Sequence, residues 1–256
     1  MTKMSKKNKD IHKFLRYLRS NGNLEKLTTN SKNKTEAIQR WFSFLPGFSH
    51  MFVENTFKFF NIIGNNYLVF DPFMGSATTA VAGKKLGVNV VGNESHRFLY
   101  EIGKAKISPV RDPHLWDKIA MDVLKQAQRE WKKKNIAKET PILLKCYPKD
   151  HLKKLITLRD ICYSSSISPN YKRLVFIVVS SLLSRCSKVG ISIPYVSWSH
   201  TRIAEEPFSL FQKIKYQIKE DLSVKINNNC NIKIYLHDSR LKNNKIKENS
   251  VDLIFT

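Results

Sequence analysis

The 256 residues carry 44 Lys and Arg against 21 Asp and Glu, a formal charge of +23, with a pI near 9.9. With 42% hydrophobic and 11% aromatic residues, the chain can bury a real core, which excludes a disordered polyelectrolyte. The longest apolar run, Leu174 to Leu183, is too short for a bilayer, which takes about 20 residues.

The N-terminus, MTKMSKKNKD, is basic but lacks the apolar stretch of a secretion signal, so a cytoplasmic chain is expected. Cys146, Cys162, Cys186 and Cys230 form no C-x-x-C pair. They read as reduced structural thiols, neither a zinc knuckle nor a redox motif. So large a positive field attracts a polyanion, nucleic acid first. Richness in Asn and Ile offers a second source for the lysines, an AT-rich coding sequence.

In chain order, residues 1–10 read as unstructured. IHKFLRYLRS then has helical periodicity with Ile11, Phe14, Leu15 and Leu18 on one side, and residues 21–34 are polar and loop-like. SHMFVENTFKFF predicts a helix. The period then changes. NYLVFDP and NVVGNE read as short buried strands; ATTAVAGKKLG, closed by Gly87, and HRFLYEIGKAK read as the helices that follow them. From Ser108 to about Asn231 strands disappear, and four helical patterns fill the segment. The first has Asp112 as N-cap and Pro113 at its first position. Strand signals return in NIKIYLHD and SVDLIFT. The expected class is α/β, a Rossmann-like parallel sheet interrupted by a helical insert.

The chemistry concentrates in YLVFDPFMGSATTAVAGKKLGVNVVGNESH. A strand ends in Asp71, the chain turns through Pro72, Phe73, Met74, Gly75 and Ser76, and a helix follows at once. In a doubly wound sheet that is the carboxyl end of the first strand, where ligands sit. Gly75 allows close backbone approach. Glu94 ends the second strand 23 positions after Asp71, the spacing at which a carboxylate bonds the ribose of a nucleoside cofactor. His96 reads as a capping or packing residue. The sequence shows no nucleophile-base pair and no metal cluster.

Asp71-Pro72-Phe73-Met74-Gly75-Ser76-Ala77-Thr78-Thr79 followed by Gly92-Asn93-Glu94 resembles motif I of the S-adenosylmethionine-dependent DNA amino-methyltransferases of the N4-cytosine and N6-adenine type. RWFSFLPGFSHMFVENTFKFF is similar to the segment that precedes motif I in permuted members. The resemblance places Phe48 and Ser49 at the methionine end of the cofactor and Asp238, in YLHDSR, near its adenine edge. It makes Asp71, Pro72, Phe73, Gly75, Ser76, Thr78, Glu94, Asp238 and Phe48 the candidate cofactor-binding set. Ala77 stands where the family has a third glycine; as the smallest intrusion available and the best helix former it is expected to weaken binding at most.

SVDLIFT is similar to the strand that leads into the family's Ser/Asp/Asn-Pro-Pro-Tyr/Phe tetrapeptide, which holds the amino group of a flipped base. The expected catalytic set within the chain is therefore empty. This implies a chain inactive alone, with a second polypeptide as a candidate partner if the chain is a split subunit; a truncation or inactive remnant stays open. The implied organisation is a basic extension over 1–35, the first part of the cofactor-binding domain over 36–107, a helical insert and candidate DNA-recognition region over 108–231, and a truncated return to the sheet over 232–256.

The resemblance implies S-adenosylmethionine as cofactor and DNA as partner; from the residues themselves no metal and no membrane partner are expected. The implied activity is methyl transfer to cytosine N4 or adenine N6 in restriction and modification; an RNA base methyltransferase and a non-catalytic binding subunit are the alternatives. Trp198, His200 and Arg202, read as a loop between helices, are candidate DNA contacts, as stacking rings and phosphate or guanine readers. Lys132, Lys133 and Lys134 read as a solvated helix-end face.

Overall fold

A computed structural model describes residues 6–20, 33–44, 46–110, 112–136, 141–192, 195–224 and 229–256. Two compact units are present, one formed by Met1–Ile107 with Ile226–Thr256, the other by Ser108–Lys225.

The first unit opens with helix α1 (Lys6–Ser20) and helix α2 (His50–Phe59), separated by a 3-10 turn at Gln39–Trp41. α1 begins five residues before its apolar periodicity, within the stretch expected to be unstructured. Lysine is a good helix former, so the helix extends past its amphipathic part. Most of the expected polar loop, residues 21–32, lies outside the described residues. The β-α alternation then follows as β1 (Leu68–Asp71), α3 (Thr78–Leu86), β2 (Asn89–Glu94) and α4 (Arg97–Lys106), with β5 (Ile232–Leu236) and β6 (Leu253–Ile254) returning late in the chain.

These four strands form one sheet in the order β5-β2-β1-β6, and every pairing is parallel. Alternation puts Val69, Val90, Ile234 and Phe255 on one face, all buried, where they meet Val53 and Phe57 of α2 and Ala80 of α3. Burying each large apolar side chain contributes about 1.5–3 kcal/mol. This core fixes the sheet's register, and with it the level at which Asp71 and Glu94 emerge from neighbouring strands.

The second unit contains α5 (Pro113–Glu130), α6 (Pro141–Cys146), α7 (Lys149–Ser164), α8 (Pro169–Arg185) and α9 (Pro207–Leu222). Asp112 caps α5 as its sequence predicts, its Oδ1 accepting from the backbone N–H groups of His114 and Leu115 at 2.9 Å each. The apolar run of α8 is core: Leu174, Val175, Ile177 and Val178 are all fully buried. The expectation of an uninterrupted helical segment fails at one place. β3 (Val189–Ser192) and β4 (Tyr195–Thr201) pair as an antiparallel ribbon where the sequence reads as a loop. Serine-rich alternation hides strands that, among the described residues, pair with each other alone.

Candidate functional site

The first strand delivers Asp71 to the carboxyl edge of the sheet, and Met74 links the turn that follows back to the second strand, its N–H donating to the Asn93 carbonyl at 2.9 Å. Gly75 adopts φ +54°, a conformation a β-carbon disfavours. Its N–H donates to Oε2 of Glu94 at 2.7 Å, while Oε1 of Glu94 accepts from the N–H of His96 at 2.7 Å. Both oxygens of Glu94 are thus oriented by backbone donors, and a carboxylate oxygen can accept a further bond. His96 occupies the N-cap position of α4 without a side-chain cap bond.

Asp71 is buried, 2% exposed. Its Oδ1 accepts from the N–H of Phe73 at 2.9 Å. Burial pushes its pKa up to about 6; bonds from the Thr79 side chain and the Phe73 N–H pull the other way, and the charge of Glu94 adds to the rise. A carboxylate so poorly solvated gains from a cationic neighbour.

Ser76 and Thr78 are buried at the start of α3, and the Thr78 carbonyl accepts from Gln39 Nε2 at 3.3 Å. Pro72 is half-buried, and its carbonyl accepts from Ser239 Oγ. Phe73 turns outward, 69% exposed.

Ala77 is not a helix residue. It lies outside the helix as the N-cap of α3, in the left-handed conformation at φ 67°, ψ 33°. Helix propensity is therefore irrelevant there; the left-handed backbone costs a non-glycine residue about 1–2 kcal/mol. Its side chain is fully buried, and a β-carbon on Gly103 would stand 3.3 Å from its methyl.

The segment before the motif lies beside the loop. A β-carbon on Gly75 would stand 3.5 Å from the Phe44 ring, and one on Gly47 would stand 3.6 Å from Ser76 Oγ. Phe48 meets Phe255 edge-on with ring centroids 5.1 Å apart. Ser49 sits at the N-cap of α2 but makes no cap bond. Its buried Oγ has no hydrogen-bond partner among the described residues, and such an orphan favours a ligand group.

Asp238 follows β5, where the N–H of His237 donates to the Glu94 carbonyl at 3.1 Å. The Arg240 guanidinium, 2.6 Å from Oδ2, holds the Asp238 carboxyl down to about 2.

Residues 56–105 match the sequence model of the family described as DNA methylase. This segment resembles DNA amino-methyltransferase sequence. Over 67 residues the chain is 36% identical to the type II methyltransferase M.BsoBI of Geobacillus stearothermophilus, a stretch that is 26% of this chain and 13% of that protein. The chain thus matches a small part of that relative's length. The matched segment runs from within α2 to within α4 and includes the Asp71 loop and Glu94.

Several residues around this loop escape a sequence reading. Thr79 bonds Asp71. Asn93 donates to Ser239 Oγ at 3.2 Å and accepts from Asn243 Nδ2 at 2.8 Å, tying the β5–β6 connection to the loop. Such pairs span about 150 positions, and only the family's Thr-Thr carries a signal. Glu36, His50 and Glu54 also converge, with donor atoms within 4.8 Å of one another. Lys85 already sits there, its Nζ 2.8 Å from Glu36 and 3.0 Å from Glu54, and supplies the cation those carboxylates attract.

In the second unit Trp198 is exposed on β4, and His200 lies on the same strand. Arg202 follows it, exposed, with Nε donating to the Ser187 carbonyl at 3.0 Å. Lys134 pairs with Asp160, and Lys132 lies 6.0 Å from the centre of the Trp131 ring.

Proposed function

We propose that the chain forms the cofactor-binding part of a DNA methyltransferase that uses S-adenosylmethionine to methylate an exocyclic amino group, cytosine N4 or adenine N6, in restriction and modification. The observation that carries the reading is the closed pair of carboxyl strand ends, with Gly75 N–H on Glu94 and buried Asp71 under the same loop. When bound, the cofactor supplies an electrophilic methyl group on a sulfonium.

The chain's own residues bind and orient. Asp71 offers a carboxylate whose ionisation a cationic ligand would favour. Glu94, fixed by two backbone donors, presents its remaining lone pairs to ribose hydroxyls. Gly75 and Ser76 give a close backbone approach, Pro72, Phe73 and Thr78 shape the loop, Phe48 and Ser49 line the methionine end, and Asp238 faces the adenine edge once Arg240 is displaced. A second polypeptide is one proposed source of the groups that hold the base.

DNA is the proposed partner, drawn by the +23 charge. The β3–β4 ribbon with Trp198, His200 and Arg202 is the proposed reading element, since the major groove admits a two-stranded ribbon.

Ultraviolet cross-linking of methyl-labelled S-adenosylmethionine, followed by peptide mapping, tests the site. Label within residues 71–79 or at Glu94 is expected; label confined elsewhere contradicts the assignment.

A further inference from the structure

The N-terminal helix presents a charged face that the cofactor site does not use. Six Lys and Arg stand in α1 against one acid, Asp10. Its apolar side is anchored: the Phe14 ring lies 4.8 Å from Phe59, 5.9 Å from Phe60 and 6.4 Å from Phe52. Tyr17 meets Phe59 at 5.3 Å, and Leu18 is 1% exposed. Lys13, Arg16 and Arg19 are all exposed, and none has a carboxylate partner among the described residues. Steps of three keep them neighbours on the helix surface.

A basic amphipathic helix suits either an anionic membrane or a nucleic acid. Membrane binding requires the apolar face to enter lipid, and here that face is packed on α2. Lys13 to Arg19 spans about 9 Å of helix axis, along which a duplex presents roughly five phosphate charges.

We infer that Lys13, Arg16 and Arg19 form a phosphate-backbone contact for duplex DNA, separate from the cofactor loop. This rests on the reading of DNA as partner. The contact is sequence-independent and sets affinity and salt dependence, leaving base choice to other residues.

The test is anisotropy of a labelled duplex titrated with the full chain across roughly 50 to 200 mM salt. The variants are Lys13→Ala/Arg16→Ala/Arg19→Ala and a scattered control of equal charge change, Lys58→Ala/Lys145→Ala/Lys213→Ala. Removing three phosphate contacts lowers the slope of log affinity against log salt by about 2.7. The α1 variant is expected to show that fall, with the control's slope changing by less than about 1 and S-adenosylmethionine binding unchanged. An unchanged slope in the α1 variant, or an equal fall in the control, overturns the contact while leaving DNA as partner. Absence of duplex binding by the unmodified chain overturns the DNA reading itself.

Discussion

The N–H of Gly75 and Oε2 of Glu94 lie 2.7 Å apart across two neighbouring parallel strands. This bond joins the turn after β1 to the end of β2 before any ligand is considered. Removing the carboxylate leaves a backbone donor without its partner, a loss of about 1.5–3 kcal/mol for a charged acceptor. Glu94→Ala is expected to raise hydrogen exchange at the Gly75 amide tenfold or more in the cofactor-free protein. Unaltered exchange shows that the loop is held by its other contacts.

Asp71 makes stability depend on pH in a defined direction. Its folded pKa of about 6 lies above the ordinary 3.8, so the native state holds the proton more tightly than the unfolded chain. Stability therefore falls as pH rises from about 4 to about 6, by up to roughly 3 kcal/mol. Asp71→Asn keeps an oxygen for the Phe73 N–H and removes that loss. The variant should be more stable than the parent at pH 7, nearly equal at pH 4, and impaired in cofactor binding. Denaturant unfolding at the two pH values measures this.

Ala77 separates backbone strain from packing. Ala77→Gly relieves the left-handed conformation but removes a fully buried methyl, so the two effects nearly offset and stability should shift by less than about 1 kcal/mol. Ala77→Val adds branching at positive φ and crowds Gly103, and should cost more than about 2 kcal/mol. Thermal unfolding of both variants checks the contrast.

Trp198 is 51% exposed on the ribbon. Trp198→Ala is therefore expected to leave unfolding within about 0.5 kcal/mol of the parent and to weaken DNA binding, with a stacked ring contributing about 1–3 kcal/mol. Equal DNA affinity removes the ribbon from the proposed interface.

Much of this was legible because local signals and long-range packing agree. Apolar runs ending in Asp71 and Glu94 mark the strands of a parallel sheet, and Asp112 before Pro113 marks a helix start. The ribbon was not legible, since its short serine-rich strands pair with each other instead of joining an apolar sheet. The backbone of Ala77 was not legible either, because residue type reports helix preference, whereas the turn imposes a left-handed conformation. The network of Asn93, Ser239 and Asn243 depends on contacts between distant positions, and polar residues in connections carry no periodicity. The gathering of Glu36, His50, Glu54 and Lys85 is hidden for the same reason.

Calorimetric titration of S-adenosylmethionine into the chain and into Glu94→Ala tests the central claim most directly. Saturable one-to-one binding by the parent, weakened at least tenfold by the substitution, is the predicted result. Equal affinity of the two proteins, or no saturable binding by the parent, would contradict the assignment of the cofactor to the Asp71 and Glu94 strand ends.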